Sequence, residues 1–171
     1  MNSFLRWLGV LNAAIWFGCA FAFTVVTAPV IFSPETEKLL QWPNPNQSPY
    51  ITGKIASLII HRSFNLQLIC GILALLHLLL ERLYFGKPPS GPRLGILITL
   101  LILTLFGGFI AQPKMQALHE TRYSSLVKAS PTDRESAHES FRTWHRVSQS
   151  LNALVLIGLA VYTGRVGQRP E

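Results

Sequence analysis

The chain has 171 residues, of which 49% are hydrophobic and only 13% charged, about half of the ~25% charged share usual in soluble globular proteins. That length fits one domain, residues 1–171, and the shortage of charge excludes an ordinary water-covered surface and points to lipid. The net charge of +7 does not indicate nucleic acid, because the basic residues flank apolar runs and interleave with acids between Glu120 and Arg146; it suits lipid headgroups and membrane topology.

A helix needs about 20 mainly apolar residues to cross a hydrocarbon core of about 30 Å. Four uncharged runs approach or exceed that length, at 7–32, 63–80, 94–112 and 147–164. They predict an all-α integral membrane protein, a four-helix antiparallel bundle with spans at about 7–32, 61–83, 94–112 and 147–165. The first run follows Arg6 but extends well past the roughly 7–15 apolar residues of a signal peptide. Trp16 and Phe17 before Gly18 and Cys19 do not suit a lipoprotein cysteine either. Ala14, Gly18 and Ala22 share one stripe of the first span, which predicts close packing of a second helix there. Pro29 and Pro34 frame its exit, and 33–50, with Pro43, Asn44, Pro45 and Asn46, reads as an ordered or partly mobile loop.

The second helix is expected from near Ile51 to Leu83, longer than the membrane requires, with Gly86 as its stop. Lys87-Pro88-Pro89-Ser90-Gly91-Pro92 reads as a tight turn that makes the second and third helices antiparallel neighbours. In the third span Gly107 and Ala111 form a small pair, and Pro113 predicts a kink at the lipid boundary. Beyond it Gln112, Gln116, His119 and Tyr123 share a face. Ser130, Pro131 and Asp133 form a helix start, and the fourth helix is expected to run to about Arg165. Arg6, Arg82, Lys87, Arg93, Arg165 and Arg169 lie in short segments at one end of the bundle. The positive-inside rule therefore places both termini in the cytoplasm and the extensions of the second, third and fourth helices on the other side.

Polar groups in lipid are costly, so intramembrane histidines and amides are candidate functional residues. His61 lies 21 residues from Arg82 and His145 lies 20 from Arg165, so the two share a height; His119 and His138, 26 and 27 residues from Arg93 and Arg165, form a second level. His138, His145 and Asn152 recur every seven residues, with Phe141, Ser148 and Val155 in the matching half-heptad positions. The candidate polar cleft comprises His61, Asn65, His119, His138, His145, Ser148 and Asn152. Such a seam can fix helix register by hydrogen bonds, line a cavity for a quinone or other solute, or ligate haem or a metal ion. His61 and His77 are sixteen residues apart, about 160° around the helix, which argues against two stacked haems. His77, level with Asn12, reads as an interhelical or interfacial hydrogen bond. Cys19 and Cys70 are nearly level in mid-span, where an inert packing role outweighs copper(I) or dithiol chemistry. Lys114, Arg142 and Arg146, near His145 at the outer interface, can attract an anion or lipid headgroup, and ordinary snorkelling explains them at least as well. The chain lacks a Gly-rich phosphate loop, a nucleophile elbow and an intramembrane carboxylate pair, and the last of these counts against a proton-coupled pump.

Leu5-Arg6-Trp7-Leu8-Gly9, Trp16-Phe17-Gly18 and Ala28-Pro29-Val30-Ile31-Phe32 resemble the first helix of a bacterial domain-of-unknown-function family related to the eukaryotic transmembrane protein 205. Gly53-Lys54-Ile55 fits the opening of its second helix. Phe141-Arg142-Thr143-Trp144-His145-Arg146-Val147-Ser148 followed by Asn152 is similar to its last helix. The resemblance implies a four-helix bundle of the bacterial inner (plasma) membrane, with His145, Ser148 and Asn152 as the matched positions. The 41–50 segment has no counterpart in it. The expected function is a non-enzymatic binding, accessory or transport-related bundle with a polar histidine-containing cleft, in contact with membrane lipid and with a small solute or a membrane protein. No catalytic residue, no nucleic acid and no resident cofactor are expected; the alternative is a haem- or metal-binding redox protein.

Overall fold

A computed structural model describes residues 2–40, 48–86, 91–124 and 127–168, and all secondary structure among them is helical. The chain forms α1 (Asn2–Ala22), a π-turn (Phe23–Thr27), α2 (Ala28–Ile31), α3 (Pro34–Leu40), α4 (Ser48–Phe85), α5 (Gly91–Phe106), a second π-turn (Gly107–Ala111), α6 (Gln112–Tyr123) and α7 (Pro131–Gly167). Four rods result, each with a stretch long and apolar enough to span a membrane: Phe4–Ile31, Ser48–Tyr84, Gly91–Tyr123 and Pro131–Gly167. α4 has 38 residues and α7 has 37. At about 1.5 Å per residue each is nearly twice the thickness of a ~30 Å hydrocarbon core.

The rods are arranged as a square. α1 packs on α4 and α7, α5 packs on the same two, and α6 continues the α5 rod against α4 and α7. The core is centred on Trp16, Leu97, Leu100, Leu159 and Tyr162, all essentially inaccessible. Trp16 meets Tyr162 edge-on at 6.4 Å. Large apolar side chains point outward as well, with Leu58 at 62%, Phe109 at 69% and Ile157 at 63% exposure. Outward leucines and isoleucines in such number are what lipid contact requires, since a soluble monomer rarely presents an apolar surface of this extent.

The stripe of Ala14, Gly18 and Ala22 faces outward, and nothing lies near Gly18. Packing uses the neighbouring stripe of Ala13, Trp16 and Ala20 instead, because the Trp16 ring carries the largest apolar area on α1 into the core. Within the expected 33–50 loop, residues 34–40 and 48–50 are helical. Ser33 accepts from the Thr36 N–H at 3.2 Å, Glu35 and Glu37 occupy the first turn, and α3 forms. α4 then starts at Ser48, three residues before Ile51. Residues 41–47 and 87–90, including most of the expected tight turn, lie outside the described residues. Gly86, at φ 64°, stands just beyond α4 and its N–H bonds back to the Arg82 carbonyl at 3.0 Å, as a helix-terminating glycine does.

α7 starts with the expected cap. The Asp133 N–H donates to Ser130 Oγ at 3.1 Å, while the Ser130 N–H and hydroxyl donate to Asp133 Oδ2 at 3.1 and 2.7 Å. The hydroxyl and then the N–H of Ser130 hold the Asp133 carboxyl below its ordinary value. Arg134 closes the α6–α7 connection by donating to the carbonyls of Arg122, Ser124 and Val127 at 2.8, 3.2 and 3.2 Å.

At the end carrying Arg6, Arg82, Arg93 and Arg165, polar side chains tie the rods together. His77 donates through Nε2 to the Leu5 carbonyl at 2.8 Å, Asn12 donates to the Cys70 carbonyl at 2.9 Å, and Arg6 donates to the Gly167 carbonyl at 2.8 Å. His77 therefore has the interhelical role expected of it. Arg93 pairs with Glu81 at 3.2 Å across the α4–α5 junction.

Candidate functional site

Two rods change helical pitch at similar places. The π-turn Phe23–Thr27 precedes Pro29, and the π-turn Gly107–Ala111 precedes Pro113. Proline lacks an N–H and its ring collides with the carbonyl four residues back. A locally wider turn accommodates both problems without breaking the rod, so Pro113 leaves α5 and α6 joined through a π-turn. Single π-turns of this kind are rare and concentrate at functional sites. Thr24, inside the first one, donates to the Ala20 carbonyl at 2.8 Å and accepts from Asn152 Nδ2 at 2.8 Å.

Beside the second π-turn, a groove of about 550 Å³ runs between α4 and the α5–α6 rod, a volume within the range of small-molecule sites. Its wall is apolar along Leu58, Phe64, Leu68, Leu105, Phe109 and Pro113. Asn65 and Thr104 interrupt that wall toward the arginine end, and neither side chain has a hydrogen-bond partner among the described residues. The opposite end is a polar rim of Lys54, Ser57, His61, Gln112 and Gln116. Lys54 pairs with Glu120. Gln116 donates to Glu120 at 3.3 Å, Ser57 to Gln116 at 3.4 Å, and Gln112 to the Ser57 carbonyl at 3.3 Å. These bonds hold the two rods at a fixed separation where the groove ends.

Above the rim, an aromatic ladder crosses three rods. The His119 ring stacks on Tyr50 at 6.0 Å and lies 5.0 Å from Tyr123 and 6.2 Å from Phe141; Phe141 in turn stacks on His145 at 5.9 Å. His119 Nε2 donates to the Pro49 carbonyl at 3.2 Å. The ring can lie there because position 53 is glycine, and a β-carbon at Gly53 would fall inside the imidazole. The Gly53-Lys54 pair thus has two local tasks, room for His119 and the ion pair to Glu120.

Six of the seven candidate residues are divided between three places. His61 and Asn65 face the groove, His119 and His145 belong to the ladder, and Ser148 and Asn152 line a small chamber in the middle of the bundle. His138 is half-buried on α7 with its Nδ1 unpartnered. Among the described residues no three His, Cys, Asp or Glu side chains converge as a metal-binding set. Equal height along the rods does not bring His61 and His145 together, because His61 lines the groove while His145 stacks on Phe141. Lys54, Ser57, Gln67, Thr104, Gln112, Gln116 and Glu120 contribute without having been expected to. A signal for Gln67 exists in the sequence: Ala56, Ser63, Cys70 and His77 recur every seven residues, with Gln67, Ala74 and Glu81 in the half-heptad positions. The structure turns this seam inward, burying Ala56, Gln67, Cys70, Ala74 and His77.

A helical multi-pass membrane protein is thus defined, four rods in a square with a lateral groove between the second and third. The chain belongs to the family described as Domain of unknown function (DUF4149), whose model matches residues 11–124. Trp16-Phe17-Gly18, Ala28-Pro29-Val30-Ile31-Phe32 and Gly53-Lys54-Ile55 fall within the match, and the segment from Phe141 to Asn152 falls outside it. No curated protein and no solved structure matches the chain.

Proposed function

We propose that this protein binds a membrane-dissolved amphiphile in the groove between α4 and the α5–α6 rod, as a binding or transport-related component of a bacterial inner membrane. The observation that carries the proposal is the groove itself, about 550 Å³, apolar along its length and polar at its rim. A lipid-like molecule suits that division, because its apolar part gains by contact with Leu68, Leu105 and Phe109 while Ser57, His61, Gln112 and Gln116 close the outer end with donors and acceptors. The positive-inside rule sets the end with Arg6, Arg82, Arg93 and Arg165 in the cytoplasm, so the rim opens at the outer interface. The ligand reaches the groove sideways from the bilayer. His61 serves as a hydrogen-bonding rim residue, and the ladder from Tyr50 to His145 keeps the outer ends of three rods in register.

The test is extraction and mass spectrometry of amphiphiles retained by the detergent-purified protein, compared with Leu105→Trp. Leu105 lines the groove and is 42% exposed, so an indole there fills the groove without entering the core. A stoichiometric species present in the wild type and lost in Leu105→Trp is expected. Equal retention in both proteins, or none in either, rejects the proposal.

A further inference from the structure

Behind the groove lies a second cavity of about 80 Å³, bounded by side chains from the first π-turn, α4, α5 with its π-turn, and α7. Its polar lining is Ser63 and Gln67 from α4 and Ser148 and Asn152 from α7. Gln67 is only 7% exposed and has no hydrogen-bond partner among the described residues; Ser63 and Ser148 have none either. Asn152 donates to Thr24 and retains its carbonyl oxygen. An amide carries two donors and an acceptor, and leaving them unmade inside a membrane protein is costly. None of the lining residues is charged. Asn152 lies 13 residues from Arg165, about 20 Å along the helix, which sets the chamber within the hydrocarbon depth rather than at its surface.

Phe64 is the wall between chamber and groove and lines both. Its ring rests on Gly107, where a β-carbon would come within 2.7 Å of it. On the arginine side the chamber is closed, because Val155 belongs to the core that continues through Leu159, Leu100 and Trp16. The chamber therefore ends at the core on the arginine side and shares Phe64 with the groove, which is the placing of a head-group pocket and not of a channel.

We infer that the chamber receives the uncharged hydrogen-bonding head, a hydroxyl, carbonyl or amide, of a membrane-dissolved molecule whose apolar tail passes Phe64 into the groove. The inference rests on the groove reading above and adds the class of head and the direction in which the ligand lies. Gln67, Ser63, Ser148 and the Asn152 carbonyl supply both donors and acceptors, so hydroxyl and carbonyl heads are both served. Carboxylate, phosphate and ammonium heads are rejected, since no counter-charge meets them at this depth.

The experiment is photolabelling of the full-length protein in proteoliposomes with three probes of equal chain length, each with a photoreactive group in mid-chain: a long-chain alcohol, the corresponding carboxylate and the corresponding phosphate monoester. The alcohol is expected to label the α4 segment around Phe64, and Gln67→Leu and Ser148→Leu each to lower that labelling about tenfold. Gln67→Leu replaces an amide that has no partner among the described residues by an apolar side chain of similar size, so it should melt at or above the wild-type temperature, which separates loss of binding from loss of fold. If the charged probes label as strongly as the alcohol, or if Gln67→Leu leaves alcohol labelling unchanged, the head assignment is overturned while labelling blocked by Leu105→Trp still upholds the groove. If no probe gives labelling that Leu105→Trp blocks, the groove reading falls and the inference with it.

Discussion

Asn152 of α7 donates its side-chain amide to the hydroxyl of Thr24 at 2.8 Å, joining the last rod to the π-turn of the first across 128 residues of sequence. Thr24 is able to accept because its own proton goes to the Ala20 carbonyl. Hydrogen bonds between membrane helices contribute about 1 kcal/mol, and this one sits where α1 departs from regular pitch. A double-mutant cycle of Asn152→Ala and Thr24→Val, measured by unfolding in mixed micelles, should give a coupling of about 1 kcal/mol. Additive losses would show that the two residues are stabilised by separate neighbours.

The same pair marks the boundary of what the sequence discloses. Apolar run lengths disclose four rods, and the heptad of His138, His145 and Asn152 correctly turns Asn152 toward the interior. Ser130, Pro131 and Asp133 announce the start of α7, because capping is a local interaction complete within four residues. Thr24 is silent, since a π-turn depends on how a rod meets Pro29 and its neighbours. His61 and Asn65 illustrate a second limit. Residue counts fix their height along α4, but the direction they face depends on which stripe the core selects, and Ser63, Gln67, Cys70 and Ala74 won that selection. Ala14, Gly18 and Ala22 lost theirs to Trp16 for the same reason.

Gly53 and His119 offer a steric test of the rod contacts above the groove. Gly53→Ala introduces a methyl group where the imidazole now lies. Overpacking of this kind costs about 1–3 kcal/mol, and the thermal midpoint in detergent should fall accordingly. In a His119→Ala background the obstacle is gone, so Gly53→Ala should cost much less there. A Gly53→Ala loss that is the same in both backgrounds would place the strain elsewhere.

Lys54 and Glu120 pair at the rim with side chains 38% and 36% exposed. A pair that open to solvent contributes about 1 kcal/mol or less. Lys54→Met and Glu120→Gln are therefore each expected to leave the fold nearly as stable as before, with the double charge reversal Lys54→Glu, Glu120→Lys close to wild type. A drop of several kcal/mol for either single change, read from chemical unfolding, would show that the pair carries an energy its exposure does not allow.

The cap of α7 predicts a dependence on pH. Asp133 has its carboxyl held below its ordinary value by Ser130, so the folded state prefers the ionised form and the unfolded chain protonates first. A depressed carboxyl contributes stability that is complete above the unfolded value, about 4 for aspartate, and is lost as pH falls through the folded value. Ser130→Ala removes the hydroxyl that both accepts from the Asp133 N–H and donates to its carboxylate. The variant should melt below wild type at pH 7, and the gap should narrow as pH drops below about 4, where the wild type loses the same interaction. Melting curves for the two proteins between pH 7 and pH 3 decide it. A gap that stays constant over that range would mean that the hydroxyl stabilises α7 only as an acceptor for the backbone, with no share in the ionisation of Asp133.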